Sequence, residues 1–209
     1  MKCFVLNGWA AGPDAWDLCA FRRDRIFGYG EQLDGIPEQV METVDAAVLV
    51  GWSMGGSSAL RLALAYPGKV RGLVLVAATP RMMESREEGW AGMSERRLQS
   101  LLLGTRMMNE GSAAPEFDEA LMSRGIDYLR TTDIRRSLEA AVTPGSPLAR
   151  IPVAIFQSER DGIVRPGNAD FLQRIFPQAI RRSISGAEHR LSAAIPAEID
   201  SAVRSMVGA

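Results

Sequence analysis

The stretch 46–60, AAVLVGWSMGGSSAL, decides the fold. Residues 46–50 are apolar without interruption, the mark of a strand buried on both faces. Gly51-Trp52-Ser53-Met54-Gly55 follows, and helical spacing runs on through residues 57–65 until Pro67-Gly68 stops it. A serine between two glycines at a sharp strand-to-helix turn presents its hydroxyl at the top of a sheet. Gly51 and Gly55 have no side chain to keep strand and helix apart. The motif by itself is weak, because glycine and serine are common. The strand before it and the helix after it give it weight.

Working outward, strand and helix keep alternating. Residues 4–6 read as a short buried strand closed by Asn7-Gly8, and residues 26–29 as a weaker strand. Pro37 opens a helix over residues 37–44, and residues 70–77 form another buried strand. After Pro80 the spacing becomes helical, with Leu98, Leu101, Leu102, Met107 and Met108, then Leu121, Met122, Leu129, Ile134 and Leu138. Gly104, Gly111 and Pro115 are expected to break this stretch into pieces. Past Pro144-Gly145 and Pro147 the alternation resumes: a strand at 153–157, a helix at 169–176, a last strand at 179–184 and a closing helix at 191–207, bent or broken at Pro196. The expected fold is α/β, a mostly parallel sheet with helices on both faces. Its core would comprise 1–80 and 146–209, with 81–145 a small helical cap over the carboxyl ends of the strands. The cap methionines are read first as core packing and second as an adaptable wall for a flexible acyl chain.

Chemistry is suggested by a single histidine, His189, the only one in the chain. A serine hydroxyl is a weak nucleophile and needs a base that titrates near neutral pH. Ser53, Asp161 and His189 occur in the order nucleophile, acid, base, with the acid just past one strand and the base just past the last. A carboxylate at Asp161 would fix the imidazole tautomer and stabilise the imidazolium. Glu159, closer to the strand end, ranks second, and a capping role is the competing reading of Asp161. The tetrahedral oxyanion needs two donors. The backbone N–H of Met54, after the serine, is the expected first. The N–H of Trp9, in the loop Asn7-Gly8-Trp9-Ala10, is assigned as the second.

Composition narrows the remaining classes. The chain has 209 residues, a formal charge of −1 and 46% apolar residues, so it suits one soluble domain and argues against a general nucleic-acid surface. One histidine and two cysteines, Cys3 and Cys19, offer no metal cluster and no disulfide framework. No Gly-rich loop with a lysine supports nucleotide chemistry. No cofactor is expected. Without a signal-like or membrane-spanning stretch, a cytoplasmic monomer is the expectation.

These residues resemble the α/β-hydrolase superfamily through Gly-Trp-Ser-Met-Gly-Gly, Asp161 with Val164 and Pro166, and His189 with Pro196. Within it, the chain is most similar to the pimeloyl-acyl-carrier-protein methyl ester esterases of biotin synthesis. That likeness rests on Asn7-Gly8-Trp9, on Trp52, and on the segments 90–93 and 125–135. It implies that Ser53 attacks the methyl ester of a pimeloyl chain on an acyl carrier protein, that Trp9 and Trp52 line the substrate tunnel, and that cations meet the prosthetic-group phosphate and the acidic carrier. Arg96, Arg97 and Arg106 are the candidates, a solvated helix face being the competing reading of each. Two departures stand out. The first strands of the family are missing, and Asn7 replaces the usual loop histidine, which bears on the oxyanion loop's hydrogen bonds. A general carboxylesterase or thioesterase for small acyl groups shares every catalytic feature, and a non-enzymatic receptor on the same fold is the alternative of another class.

Overall fold

Six strands lie in one sheet: β1 (Lys2–Leu6), β2 (Arg25–Phe27), β3 (Ala47–Trp52), β4 (Val70–Val76), β5 (Val153–Ser158) and β6 (Ile180–Ile184). The computed structural model describes residues 1–109 and 114–208. The strand order is β2-β1-β3-β4-β5-β6, and every neighbouring pair is parallel. β3 and β5 are buried along their whole length, as a sheet covered on both faces requires. The order reverses between β1 and β3: β2 lies outside β1, whereas β4, β5 and β6 extend the sheet the other way. At such a reversal the connections diverge and leave a crevice beyond the carboxyl ends of the strands, where open α/β sheets bind ligands. Asn7 follows β1 and Ser53 follows β3, so both loops flank that crevice.

The described helices are α1 (Tyr29–Leu33), α2 (Ile36–Thr43), α3 (Met54–Ala65), α4 (Glu95–Met108), α5 (Glu119–Thr131), α6 (Arg135–Ala141), α7 (Gly167–Ile175), α8 (Leu191–Ala194) and α9 (Pro196–Val207). Strand side chains alternate across the sheet. Leu6, Leu49, Leu73 and Ile155 face one way, against Met41 of α2, Leu60 of α3 and Leu172 of α7. Val5, Val48, Val50 and Val74 face the other, against Ile199 and Val203 of α9. Fully burying one such side chain contributes about 1.5–3 kcal/mol.

A third cluster forms where α4 and α5 meet the strand ends. Leu98, Leu102, Met122, Ile126 and Leu129 pack there with Tyr29, Met54 and Val164. Leu138 of α6 instead joins the cluster of α3 and the sheet. The two ends of this helical segment are tied together at its base. Arg81 and Asp133 form an antiparallel bridge, and the Ile134 N–H donates to Pro80 O at 3.1 Å. Arg135 forks onto Asp133, with Nε to Oδ1 at 2.9 Å and Nη2 to Oδ2 at 2.7 Å, and also pairs with Glu88.

Several local expectations need correction. The strand expected at 26–29 ends at Phe27, because Gly28 starts α1 and its N–H is taken by Glu31 Oε2 at 3.0 Å. Gly104 does not interrupt the chain but sits inside α4. A helical glycine costs only about 1 kcal/mol against alanine, and buried Leu98, Leu102 and Thr105 hold the helix. Pro115 starts a short 3₁₀ turn, while Gly111 lies outside the described residues. Pro196 does break the closing helix, into α8 and α9. Met82, Met93 and Met122 are buried as core, but Met107 and Met108 are exposed.

Candidate active site

Ser53 sits immediately before α3 with φ 56° and ψ −119°. A residue with a Cβ in this region is strained by about 1–3 kcal/mol and persists only where its surroundings fix it. Ser53 N–H donates to Val76 O at 3.0 Å, and Gly56 N–H donates to Ser53 O at 2.9 Å. The flanking glycines permit the turn: a Cβ at Gly51 would lie 2.5 Å from Gly55 O, and one at Gly55 would lie 2.0 Å from Leu6 O. A serine before a helix usually spends its oxygen on an amide of the first turn, as Ser94 does with the Arg97 N–H. Ser53 makes no such capping bond, so helix formation leaves its hydroxyl uncommitted.

Asp161 and His189 meet. His189 Nδ1 lies 2.8 Å from Asp161 Oδ2. A carboxylate accepts, so this nitrogen carries the proton and Nε2 keeps its lone pair. The other carboxylate oxygen is saturated by the N–H groups of Ile163 at 2.8 Å and Val164 at 2.9 Å. Gln157, buried at the end of β5, donates to Val164 O at 2.9 Å and to Asp161 Oδ2 at 3.4 Å. Sequence reading missed this support, although a glutamine closing an apolar strand was its visible signal. Glu159 is exposed, and the carboxylate that meets the ring is that of Asp161. The ring of His189 stacks obliquely on Trp52, with centroids 5.5 Å apart. Among the described residues no hydrogen bond joins the Ser53 hydroxyl to the ring, but both line one cavity. In ligand-free sites such bonds are commonly long and tighten with substrate.

The loop after β1 is held from inside. Asn7 is buried, and its Nδ2 donates to Ala11 O at 3.2 Å and Gly12 O at 2.9 Å, while its Oδ1 accepts the Trp16 Nε1–H at 2.6 Å. Gln32 Nε2 donates to Asn7 O at 2.9 Å. The asparagine therefore braces the turn that brings Gly8 against Trp52 and Ser53. Neither Trp9 N–H nor Met54 N–H is engaged in a turn or loop hydrogen bond among the described residues. Met54 opens α3, so its amide has no partner in the helix ladder either.

The cavity measures about 210 Å³ and is lined by Trp9, Trp52, Ser53, His189, Met82, Met93 and Leu101 among others. Drug-sized ligands occupy roughly 300–1,000 Å³, so this space suits a slim chain. Beside it, a surface recess of about 620 Å³ is lined by Arg96, Arg97 and Arg165 and shares Met93, Leu101 and Ile163 with the cavity. None of the ion pairs among the described residues engages Arg96, Arg97 or Arg165. Arg106 lies elsewhere on α4 and pairs with Glu119 at 2.6 Å.

Comparison with known proteins fits this architecture. A sequence profile described as the alpha/beta hydrolase family matches residues 6–198. The pimeloyl-[acyl-carrier protein] methyl ester esterase of Salmonella typhi is 25% identical over 229 aligned positions, covering 88% of this chain and 85% of that protein. A bromoperoxidase from Bacillus anthracis superposes with TM-score 0.72 at 17% identity, covering 100% of this chain and 92% of that one. An esterase from Exiguobacterium antarcticum gives TM-score 0.69 at 17% identity, with the same shares. The two structural likenesses bear on the fold. No described helix is long and apolar enough to cross a membrane.

Proposed function

The chain belongs to the alpha/beta hydrolase family, and from that membership we propose that it is a serine carboxylesterase acting on the methyl ester of a pimeloyl chain carried by an acyl carrier protein. The observation that carries the reading is the 2.8 Å contact of His189 Nδ1 with Asp161, opening on the cavity that Ser53 lines. His189 Nε2 takes the Ser53 proton as Oγ bonds to the ester carbonyl carbon. The oxyanion that forms is held by the N–H groups of Trp9 and Met54, each such donor contributing about 3–4 kcal/mol in the transition state. The C–O bond to the methoxy group then breaks, and methanol leaves with the proton from His189. Water, deprotonated by the same nitrogen, attacks the acyl-serine; the acyl C–Oγ bond breaks, His189 returns the proton to Ser53 Oγ, and the free acid leaves as its carboxylate.

Residues 81–145 serve as the cap in this reading. Trp9 and Trp52 wall the acyl chain, and the Trp9 Nε1–H is buried without an acceptor among the described residues. Arg96 and Arg97 meet the phosphate of the carrier's prosthetic arm at the recess beside the cavity, and Arg106 meets the acidic carrier farther out. A cytoplasmic monomer is part of the same reading. The curated relative's name supports the substrate.

The test is methanol release from pimeloyl-carrier methyl ester by the purified protein, alongside rescue of a biotin-requiring strain that lacks its own esterase. We expect both, and we expect Ser53→Ala to lower kcat by roughly four orders of magnitude or more. Hydrolysis of short p-nitrophenyl esters with no methanol release would favour the general esterase. Rescue by Ser53→Ala as full as wild type would favour a receptor.

A further inference from the structure

We infer that Trp52 is a positioning residue, which holds the histidine loop over the serine through its indole N–H. The inference rests on the assignment of Ser53 and His189 above and adds a role that neither the sequence motif nor a substrate-wall reading supplies.

The indole Nε1–H of Trp52 donates to the backbone carbonyl of His189 at 3.1 Å, across 137 residues of sequence. Trp52 is the last residue of β3, next to Ser53, and is only 9% exposed. His189 arrives from the far edge of the sheet: β4 and β5 separate β3 from β6, after which its loop begins. That loop must fold back across two strands to bring an imidazole to the serine. Few bonds set its position. Ser158 Oγ donates to Ala187 O at 2.5 Å, Asp161 takes the ring, and Leu191 N–H shares the His189 carbonyl at 3.1 Å. Gly186, with φ 77°, turns the chain at the start of the loop in the left-handed region that glycine favours.

Of these restraints, only the Trp52 bond ties the loop directly to the strand that carries Ser53. Asp161 and Ser158 both belong to the β5 end, so they fix the ring relative to the acid and not relative to the nucleophile. The indole closes that gap. Its N–H sits in a buried setting, where losing its acceptor leaves a donor unpaired, so the loop is favoured at one distance from β3. The oblique ring contact at 5.5 Å adds a second constraint on the imidazole plane. Displacement of a reacting group by about 1 Å can cost on the order of a hundredfold in rate.

Two replacements isolate the N–H. Trp52→Phe keeps an aromatic ring, and benzothienylalanine at position 52 keeps the full bicyclic shape with sulfur in place of N–H. Kinetics on p-nitrophenyl butyrate are joined to ¹⁵N NMR of the imidazole. His189 is the only histidine, so its ring signals need no assignment. We expect both replacements to lower kcat by about ten- to a hundredfold and to shift or broaden the ring signals, with KM held within about twofold by the isosteric replacement, which keeps the wall. A KM change with kcat and ring signals unaltered would make Trp52 a wall alone and overturn the inference. Should Trp52→Phe fail to fold, the isosteric replacement decides. Ser53→Ala is the parallel control: retained activity there would defeat the serine assignment, while the ring signals, read without turnover, still decide whether Trp52 positions the histidine.

Discussion

Ala10, Ser53 and Ala77, with φ of 53°, 56° and 45°, are the residues other than glycine that hold positive φ among the described residues. They follow β1, β3 and β4, so the backbone strain is gathered around the crevice. Only Ser53 could be read in advance, because its flanking glycines announce a tight turn. Alanine carries no mark of an unusual dihedral, and Ala10 and Ala77 passed unnoticed. The cysteines were legible in the other direction. Cys3 stands in an apolar stretch that reads as a strand, and both cysteines are free and buried. Burial pushes the Cys3 thiol up to about 12 and the Cys19 thiol up to about 11. An unfolded chain releases these protons near 9.0. Between that value and the folded ones the native state binds more protons, so stability falls as pH rises through this window. At pH 8 the native protein should react slowly with dithionitrobenzoate, and the unfolded chain should yield two thiols. The melting temperature should decline above about pH 9, less steeply in Cys3→Ala. A rapidly reacting thiol in the native protein would contradict this.

At the scale of elements, the periodicities located the central strands and most helices, but not what each helix touches. Gly104 and Gly125 look alike in sequence. Nothing lies within 4 Å of a Cβ placed on Gly104, whereas one on Gly125 of α5 would lie 2.5 Å from Cδ1 of Trp9. The second glycine is where α5 rests on the loop after β1. Alanine there gains up to about 1 kcal/mol of helix propensity and collides with the indole. Overpacking costs about 1–3 kcal/mol, so Gly125→Ala should leave the melting temperature level or lower, while lowering kcat/KM about tenfold or more by displacing the loop. Steady-state kinetics beside a thermal melt would measure both, and unchanged kcat/KM would show that the indole does not set the loop. The arginines make the same point. Arg96, Arg97 and Arg106 share one helix, but Arg106 is neutralised by Glu119, a residue of another helix that no helical period could bring to it.

For the molecule as a whole, strand-helix alternation revealed a parallel α/β sheet, and the order of Ser53, Asp161 and His189 indicated which strand ends to examine. Strand order, the Trp52–His189 bond and the closure between Arg81 and Asp133 depend on contacts far apart in sequence and left no local trace. That closure is open to titration. The Arg135 fork beside Asp133 holds its carboxyl below the usual carboxylate range, with Arg81 assisting. A depressed folded value stabilises above the unfolded carboxylate value of 3.8 and is lost as pH falls through the folded one. Asp133→Asn should cost roughly 1–2 kcal/mol near neutral pH, allowing for solvent screening, or a few degrees of melting temperature. The gap from wild type should narrow as the solution is acidified below 3.8, and a gap of constant size would refute the ionic account. The spacing of the proposed catalytic side chains along the chain also sets when chemistry begins. Along the chain the serine turn emerges first, then the acid, then the imidazole. In the proposed mechanism the alcohol stays inert until β6 docks on the sheet's far edge, so reactivity waits on completion of the sheet.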